Sequence, residues 1–248
     1  MDGFRIDRAA MKLDARDAMR THKPSVYLVT IVFLIITFVL ETLSTKLQFP
    51  GLRMQEIIRY AYDEDMAMRL WYAAADRSFT SRLLDFAIGI MTVLLNGGFS
   101  LFCLRVSQRS EAGVGSLFDL FGFFFRFLWL EIVTGIFIFL WSLLFVIPGI
   151  VAAYRYSMAP FIFFDDPEKG AMQCIRESKA MTMGHKGQLF VLDLSFIGWA
   201  LLSIIPLVSI FVQPYYGVTR ANYYRVLSGQ YQAAGPQRSG GYGDPWSQ

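Results

Sequence analysis

Residues 128–167 read LWLEIVTGIFIFLWSLLFVIPGIVAAYRYSMAPFIFFDDP, and the reading of this stretch decides the fold. Residues 128–147 carry a single charge, Glu131. A bilayer core of about 30 Å takes a helix of about 20 apolar residues, and this run supplies them. Pro148-Gly149 then interrupts it. Proline cannot continue a helix and is well suited to turning one back. Residues 150–164 form a second, shorter crossing with Arg155 in its middle, and Asp165-Asp166-Pro167 close it.

Other stretches repeat the pattern. Residues 25–45 and 83–104 are further apolar runs of spanning length, and 187–226 has room for two more, broken near Pro206 or Pro214. The expectation is an all-α, polytopic transmembrane bundle of about six spans, with five or seven as alternatives. Composition agrees: of 248 residues, 54% are apolar, 16% aromatic and 17% charged. Soluble domains carry about 25% charged residues. The net charge of +3, without a dense basic run, is too small to suggest a nucleic-acid binder. The first apolar run is too long for a signal-peptide core and lacks a small-residue cleavage site after it, so it reads as a retained helix.

Basic residues set the orientation. Arg5, Arg8, Lys12, Arg16, Arg20 and Lys23 precede the first run. Arg105 and Arg109 follow the second, and Lys169, Arg176, Lys179 and Lys186 follow the fourth. Both termini are therefore expected in the cytoplasm, with residues 46–82 as an external loop. Three parts result: a cytoplasmic amphipathic N-terminal helix (1–24), a transmembrane domain (25–227) and a disordered tail (228–248) rich in Gly, Gln, Ser and Pro.

Within residues 3–22, Phe4, Met11, Ala15 and Ala18 recur at helical spacing, while Arg5, Arg8, Lys12 and Arg16 share another face. Such a helix lies on the inner leaflet among anionic head groups, or is simply a basic flank. Residues 52–75 also read as a helix resting on the outer surface, and 118–127 (FDLFGFFFRF) as a short aromatic element leading into the third span.

Asp166-Pro167 places an acceptor at an N-cap and a proline at the first helical position, so a helix over 167–183 is expected with Asp166 as its cap. Asp165 and Glu168 would sit well at the positive end of its dipole. Arg155 is the residue that demands a partner, because an unpaired charge at mid-membrane costs at least about 2.5–3.5 kcal/mol. At about 1.5 Å of rise per residue, Asp193 in the fifth span differs from it in depth by only about one turn. An Arg155–Asp193 pair, joined by Glu131, is expected either to fix the packing of spans three to five or to form a polar site for an ion, proton or anionic ligand.

No cofactor or metal is expected. Cys103 and Cys174 lie far apart and read as packing residues, and His22 and His185 are the only histidines. "MGHKGQLF", 183–190, has the glycines and lysine of a phosphate loop but lacks GxxxxGK[ST], and serves equally as a hinge. A nucleophile–base constellation is also lacking, so no catalytic residues are assigned.

The stretches WSLLFVIPGIVAAYRYSMAPFIFFDDP, ESKAMTMGHKGQLFVLDLSFIGWALL and PYYGVTRANYY resemble the bacterial domain-of-unknown-function family number 975, with LFDLFG and GGFSLFCLRVS similar to its upstream elements. The resemblance covers roughly residues 97–227, with a looser match to the basic N-terminal helix. It implies a bacterial cytoplasmic-membrane protein and carries no established activity or catalytic residue. The expected role is a non-enzymatic, membrane-embedded interaction or envelope-support component. It would meet the bilayer, anionic inner-leaflet lipids and a protein partner or further copies of itself. The alternative is a small transporter or exporter with a polar site at Arg155.

Overall fold

The computed structural model describes residues 8–23, 25–48, 68, 78–203 and 206–230. Among these the regular structure is entirely helical: α1 (Arg8–Thr21), α2 (Val26–Gln48), α3 (Phe79–Ser107), α4 (Phe124–Leu144), α5 (Val146–Tyr156), α6 (Ala159–Asp165), α7 (Ala171–Met181), α8 (Lys186–Leu194), α9 (Ile197–Leu202) and α10 (Pro206–Leu227). Two short 3-10 turns, Val114–Leu117 and Asp119–Phe123, lead into α4. The expected helix over 52–75, most of the 46–82 loop, Phe4 and Arg5, and the tail beyond Gln230 lie outside the described residues.

Among the described residues four segments are long and apolar enough to cross a membrane: Val26–Gln48, Phe79–Ser107, Val114–Leu144 and Val146–Asp165. They overlap the first four expected spans, although the third runs from Val114 to Leu144 where 128–147 was expected. The remaining stretch behaves differently. Residues 186–202 divide at Ser195-Phe196 into the short helices α8 and α9. Helix α10 has 22 residues, about 33 Å of helix, and so has the length. Its interior carries Gln213, Thr219, Arg220, Asn222 and Arg225, which dilute its hydropathy. Pro206 does begin a helix, as expected, whereas Pro214 sits inside it.

The turn between α4 and α5 falls at Phe145, three residues before the expected break at Pro148-Gly149, a pair that lies inside α5. Phe145 takes an extended conformation (φ −162°, ψ 153°) and ends α4. Pro148 then falls in the first turn of α5, where a backbone N–H has no helical partner in any case. Gly149 lets the two helices touch: a Cβ there would lie 2.1 Å from Ser142 Oγ and 2.9 Å from Ser142 Cα. Aromatic contacts continue down the hairpin, Phe137 to Tyr156 (6.0 Å) and Phe127 to Phe163 (5.7 Å).

Packing is concentrated at one end. The buried residues of α3 run from Leu94 to Ser107, those of α2 from Val26 to Phe33, and those of α4 are Phe127 and Leu130. One cluster joins Ala15, Val29, Phe102, Cys103 and Val106; a second joins Phe127, Phe163, Cys174, Leu189 and Tyr223. Beyond this end the helices present apolar side chains outward, including Phe38 (70% exposed), Phe86 (69%), Phe139 (65%) and Leu143 (74%). An apolar surface so extensive has to be covered, and lipid is what covers such a face on a membrane helix. At the far end of the α2–α3 pair, Ser44 Oγ donates to Asp85 Oδ1 (2.5 Å) and Gln48 Nε2 to the same carboxylate (3.2 Å).

Helix α1 keeps the predicted face but not the predicted surroundings. Met11, Ala15, Ala18 and Met19 are buried, yet they pack into the bundle against α3 and α10 rather than outward. Small alanines allow that close approach. Arg8, Arg16 and Arg20 remain exposed on the other side. Gly97 and Gly98 serve the same end for the 3-10 turns. A Cβ on Gly98 would lie 2.1 Å from the Leu117 carbonyl oxygen, and one on Gly97 2.5 Å from the Phe127 ring.

Candidate functional site

Arg155 is the penultimate residue of α5, just before the Ser157-Met158 break that separates α5 from α6. The break leaves helical carbonyls unpaired. Helix α7 supplies the donors: Ser178 Oγ (2.9 Å) and Thr182 Oγ1 (3.2 Å) both donate to the Arg155 carbonyl. The Met158 amide in turn donates to Ser178 Oγ (3.2 Å). The Arg155 side chain lies over the Trp141 ring at 5.9 Å, and its buried Nε has no hydrogen-bond partner.

The expected Arg155–Asp193 ion pair is not formed. Asp193 faces α10 instead, where Tyr216 donates to it (3.1 Å) and Arg220 Nη1 donates to the Tyr216 oxygen (3.2 Å). Tyr154 also interacts with the Asp193 carboxylate, and its ring meets Phe190 of α8 edge-on at 5.9 Å. The reason is helical geometry. Successive residues point about 100° apart, so the face of α5 that presents Tyr154 to α8 turns Arg155 toward α4. Matching depth was a true constraint but an incomplete one. Glu131 is half-buried on α4, and it too has no hydrogen bond or ion pair among the described residues.

Asp166 is also not the helix cap that was expected. The following helix starts at Ala171 with Gly170 as its N-cap. Asp166 ends α6, and its Oδ1 accepts from the Glu168 amide (3.2 Å) while its carbonyl accepts from the Lys169 amide (3.2 Å). An aspartate followed by proline can close a turn on its own backbone as readily as it caps a helix. Here the turn wins. Asp165 has a different partner: its Oδ2 accepts from Tyr224 (2.5 Å) and Gln230 (2.8 Å), tying α6 to the end of α10.

The most completely bonded polar cluster was not anticipated. Asn222 of α10 is wholly buried. Its Oδ1 accepts from Ser107 Oγ at the end of α3 (2.7 Å), and its Nδ2 donates to the Met11 carbonyl and to Asp14 Oδ2 of α1 (both 3.1 Å). Asp14 also pairs with Arg109 (3.1 Å), which reaches Asp17 (3.4 Å). One amide thus joins three helices. A lone Asn in a Tyr-rich helix has no spacing signal of its own, so only its buried neighbours reveal this role.

Around α7 and α8 the charges are unevenly matched. Lys169 pairs with Glu177 (2.9 Å), and the hydrogen bonds from Lys169 and then Gln173 hold the Glu177 carboxyl below its ordinary value. Lys186, by contrast, is lowered, first by burial and then by the charges of Arg155 and Lys179. The "MGHKGQLF" segment folds as a hinge: Gly184 takes a left-handed φ of +82° and α8 starts at Lys186. Both cysteines are buried free thiols, and Cys103 packs against Gly217, where a Cβ would lie 2.6 Å from its sulfur.

The described residues form an all-α bundle in which four segments are long and apolar enough to cross a membrane. Residues 142–231, from the α4–α5 turn through α10, match the family described as "Protein of unknown function (DUF975)". The upstream stretches GGFSLFCLRVS and LFDLFG lie outside the matched residues. No curated protein and no solved structure matches the chain.

Proposed function

We propose that this chain is a non-enzymatic component of the bacterial cytoplasmic membrane, multi-pass with both termini in the cytoplasm, that supports or recruits other envelope constituents. One observation carries the reading. At the packed end of the bundle Asn222 bonds to both Ser107 and Asp14, while basic residues of α1 and α7 face outward. Internal polar groups that close helix–helix joints build a rigid body, and an exposed basic surface is what anionic head groups or an acidic partner recognise. Arg8, Arg16, Arg20, Arg176 and Lys179 compose that surface. Chemical cross-linking in native membranes tests it, and a stoichiometric partner or a defined oligomer is expected. Labelling of Ser110→Cys in spheroplasts tests the orientation: protection from an impermeant reagent is expected, and ready labelling would reverse the topology.

A second reading has its own observation. The buried Arg155 Nε lacks a partner, and Lys186 and Lys179 are close enough to act on one another, as an anion pathway would need. Under this reading the protein is a small exporter. Anion flux in proteoliposomes that Arg155→Gln abolishes would favour it over the first.

A further inference from the structure

A groove of about 430 Å³ opens where α1, α2, α9 and α10 meet, lined by Arg16, Met19, Tyr27, Trp199, Phe211 and Tyr215 among others. Its volume falls within the range of small-ligand pockets, about 300–1,000 Å³. The walls are fixed from several sides. Tyr27 packs on Phe211 (5.2 Å between ring centres) and Tyr215 on Phe196 (5.3 Å). Lys12 donates to Ser195 Oγ (2.7 Å) and lies over the Phe196 ring (4.5 Å), which holds α1 against the α8–α9 junction. Ser209 Oγ donates to the Ser203 carbonyl (2.7 Å), bracing the α9–α10 turn.

Its lining is two-sided in character. Arg16 is the only charged residue on it, and neither its guanidinium nor the hydroxyls of Tyr27 and Tyr215 has a hydrogen-bond partner among the described residues. Three donors therefore border the groove without an acceptor. The rest is apolar and aromatic, with Trp199 53% and Phe211 58% exposed. A soluble anion would use the donors and leave those rings without purpose. The groove also adjoins the outward face of α2, where Leu28, Ile31 and Ile35 are exposed. Tyr, Trp and Arg together are the residues that settle at head-group level.

We propose that this groove binds an anionic phospholipid, with Arg16 and the two tyrosine hydroxyls taking the phosphate and Trp199 and Phe211 flanking the start of an acyl chain. The proposal rests on the reading of the chain as membrane-embedded and gives its basic surface one defined ligand.

The test is native mass spectrometry of the whole chain in detergent, titrated with phosphatidylglycerol and separately with phosphatidylcholine. Phosphatidylglycerol is expected to be retained in preference. Arg16→Gln should weaken its retention at least about fivefold, the effect of one cation beside an anionic head group. Arg20→Gln, on the same basic surface but outside the groove, should weaken it far less than Arg16→Gln does, and Trp199→Ala should weaken it without altering charge. Equal losses from Arg16→Gln and Arg20→Gln would mean diffuse attraction and overturn the site. So would inorganic phosphate raising the melting temperature as much as phosphatidylglycerol does, which would mark a soluble-anion site. Either failure leaves membrane embedding standing, because the substituted residues lie outside the four apolar segments.

Discussion

Removing the Asn222 side chain is the sharpest perturbation of the packed end. Asn222→Ala withdraws an acceptor from Ser107 and a donor from both the Met11 carbonyl and Asp14. A buried group left unpaired costs about 1–3 kcal/mol in soluble proteins, whereas interhelical hydrogen bonds measured in a membrane protein average about 0.6 kcal/mol. Ser107 keeps a contact with Arg225 Nη1 (3.3 Å) and Asp14 keeps Arg109, so not every partner is orphaned. The Met11 carbonyl loses its side-chain donor outright. Three bonds at those values span about 2–9 kcal/mol, and with two partners still contacted the expectation is the lower part of that range, about 2–4 kcal/mol. For a chain of this size that corresponds to a fall of roughly 6–12 °C in melting temperature. The assay is thermal unfolding in detergent, with hydrogen exchange along α1 as the local readout, since α1 should loosen first. Paired with Ser107→Ala, the double variant should lose less than the sum of the singles. If Asn222→Ala melts with the wild type and exchange in α1 is unchanged, the joint does not hold the helices and the reasoning fails.

Gly98→Ala should lower the melting temperature through an overpacking cost of about 1–3 kcal/mol, because the new methyl meets the Leu117 carbonyl; Gly135→Ala, which meets nothing, is the control. In melting experiments Asp193→Ala and Tyr216→Phe should be strongly non-additive, while Arg155→Ala and Asp193→Ala should add within about 0.5 kcal/mol; recovery by the charge swap Arg155→Asp with Asp193→Arg would contradict the observed geometry. The Lys169–Glu177 pair predicts a pH window. Glu177 is lowered from 4.5, so its contribution is present above that value and lost as pH falls through the lower folded one. Lys169 is raised from 10.5, chiefly by its hydrogen bond to Glu177, so its share is present below 10.5 and lost as pH climbs past the folded value. The melting difference between wild type and Glu177→Gln should therefore be flat through neutral pH and vanish in strong acid; a difference that persists there would exclude the pair as its source.

Adjacent errors in the reading share a cause. The Met11–Ala15–Ala18 face of α1 was legible because helical spacing is a local property, yet whether that face meets lipid or protein depends on α3 and α10, far along the chain. Residues 155 and 193 were matched by depth alone. The direction in which each side chain leaves its helix followed from how α5, α4 and α8 pack, and it sent Arg155 to Trp141 and Asp193 to Tyr216. At Asp166 two local motifs compete for the same carboxylate; it is engaged in the 166–169 turn, and Gly170 holds the cap position.

The apolar runs by themselves determined that the described residues are helical and roughly where four segments long enough to cross a membrane lie. Each of these follows from about 20 neighbouring residues and the thickness of a bilayer. Only the tertiary structure decided that Asn222 joins three helices, that Asp193 is held by tyrosines, and that Arg16 shares a groove with Trp199. Those juxtapositions are made by rotations and offsets between helices distant in sequence, which no local periodicity encodes.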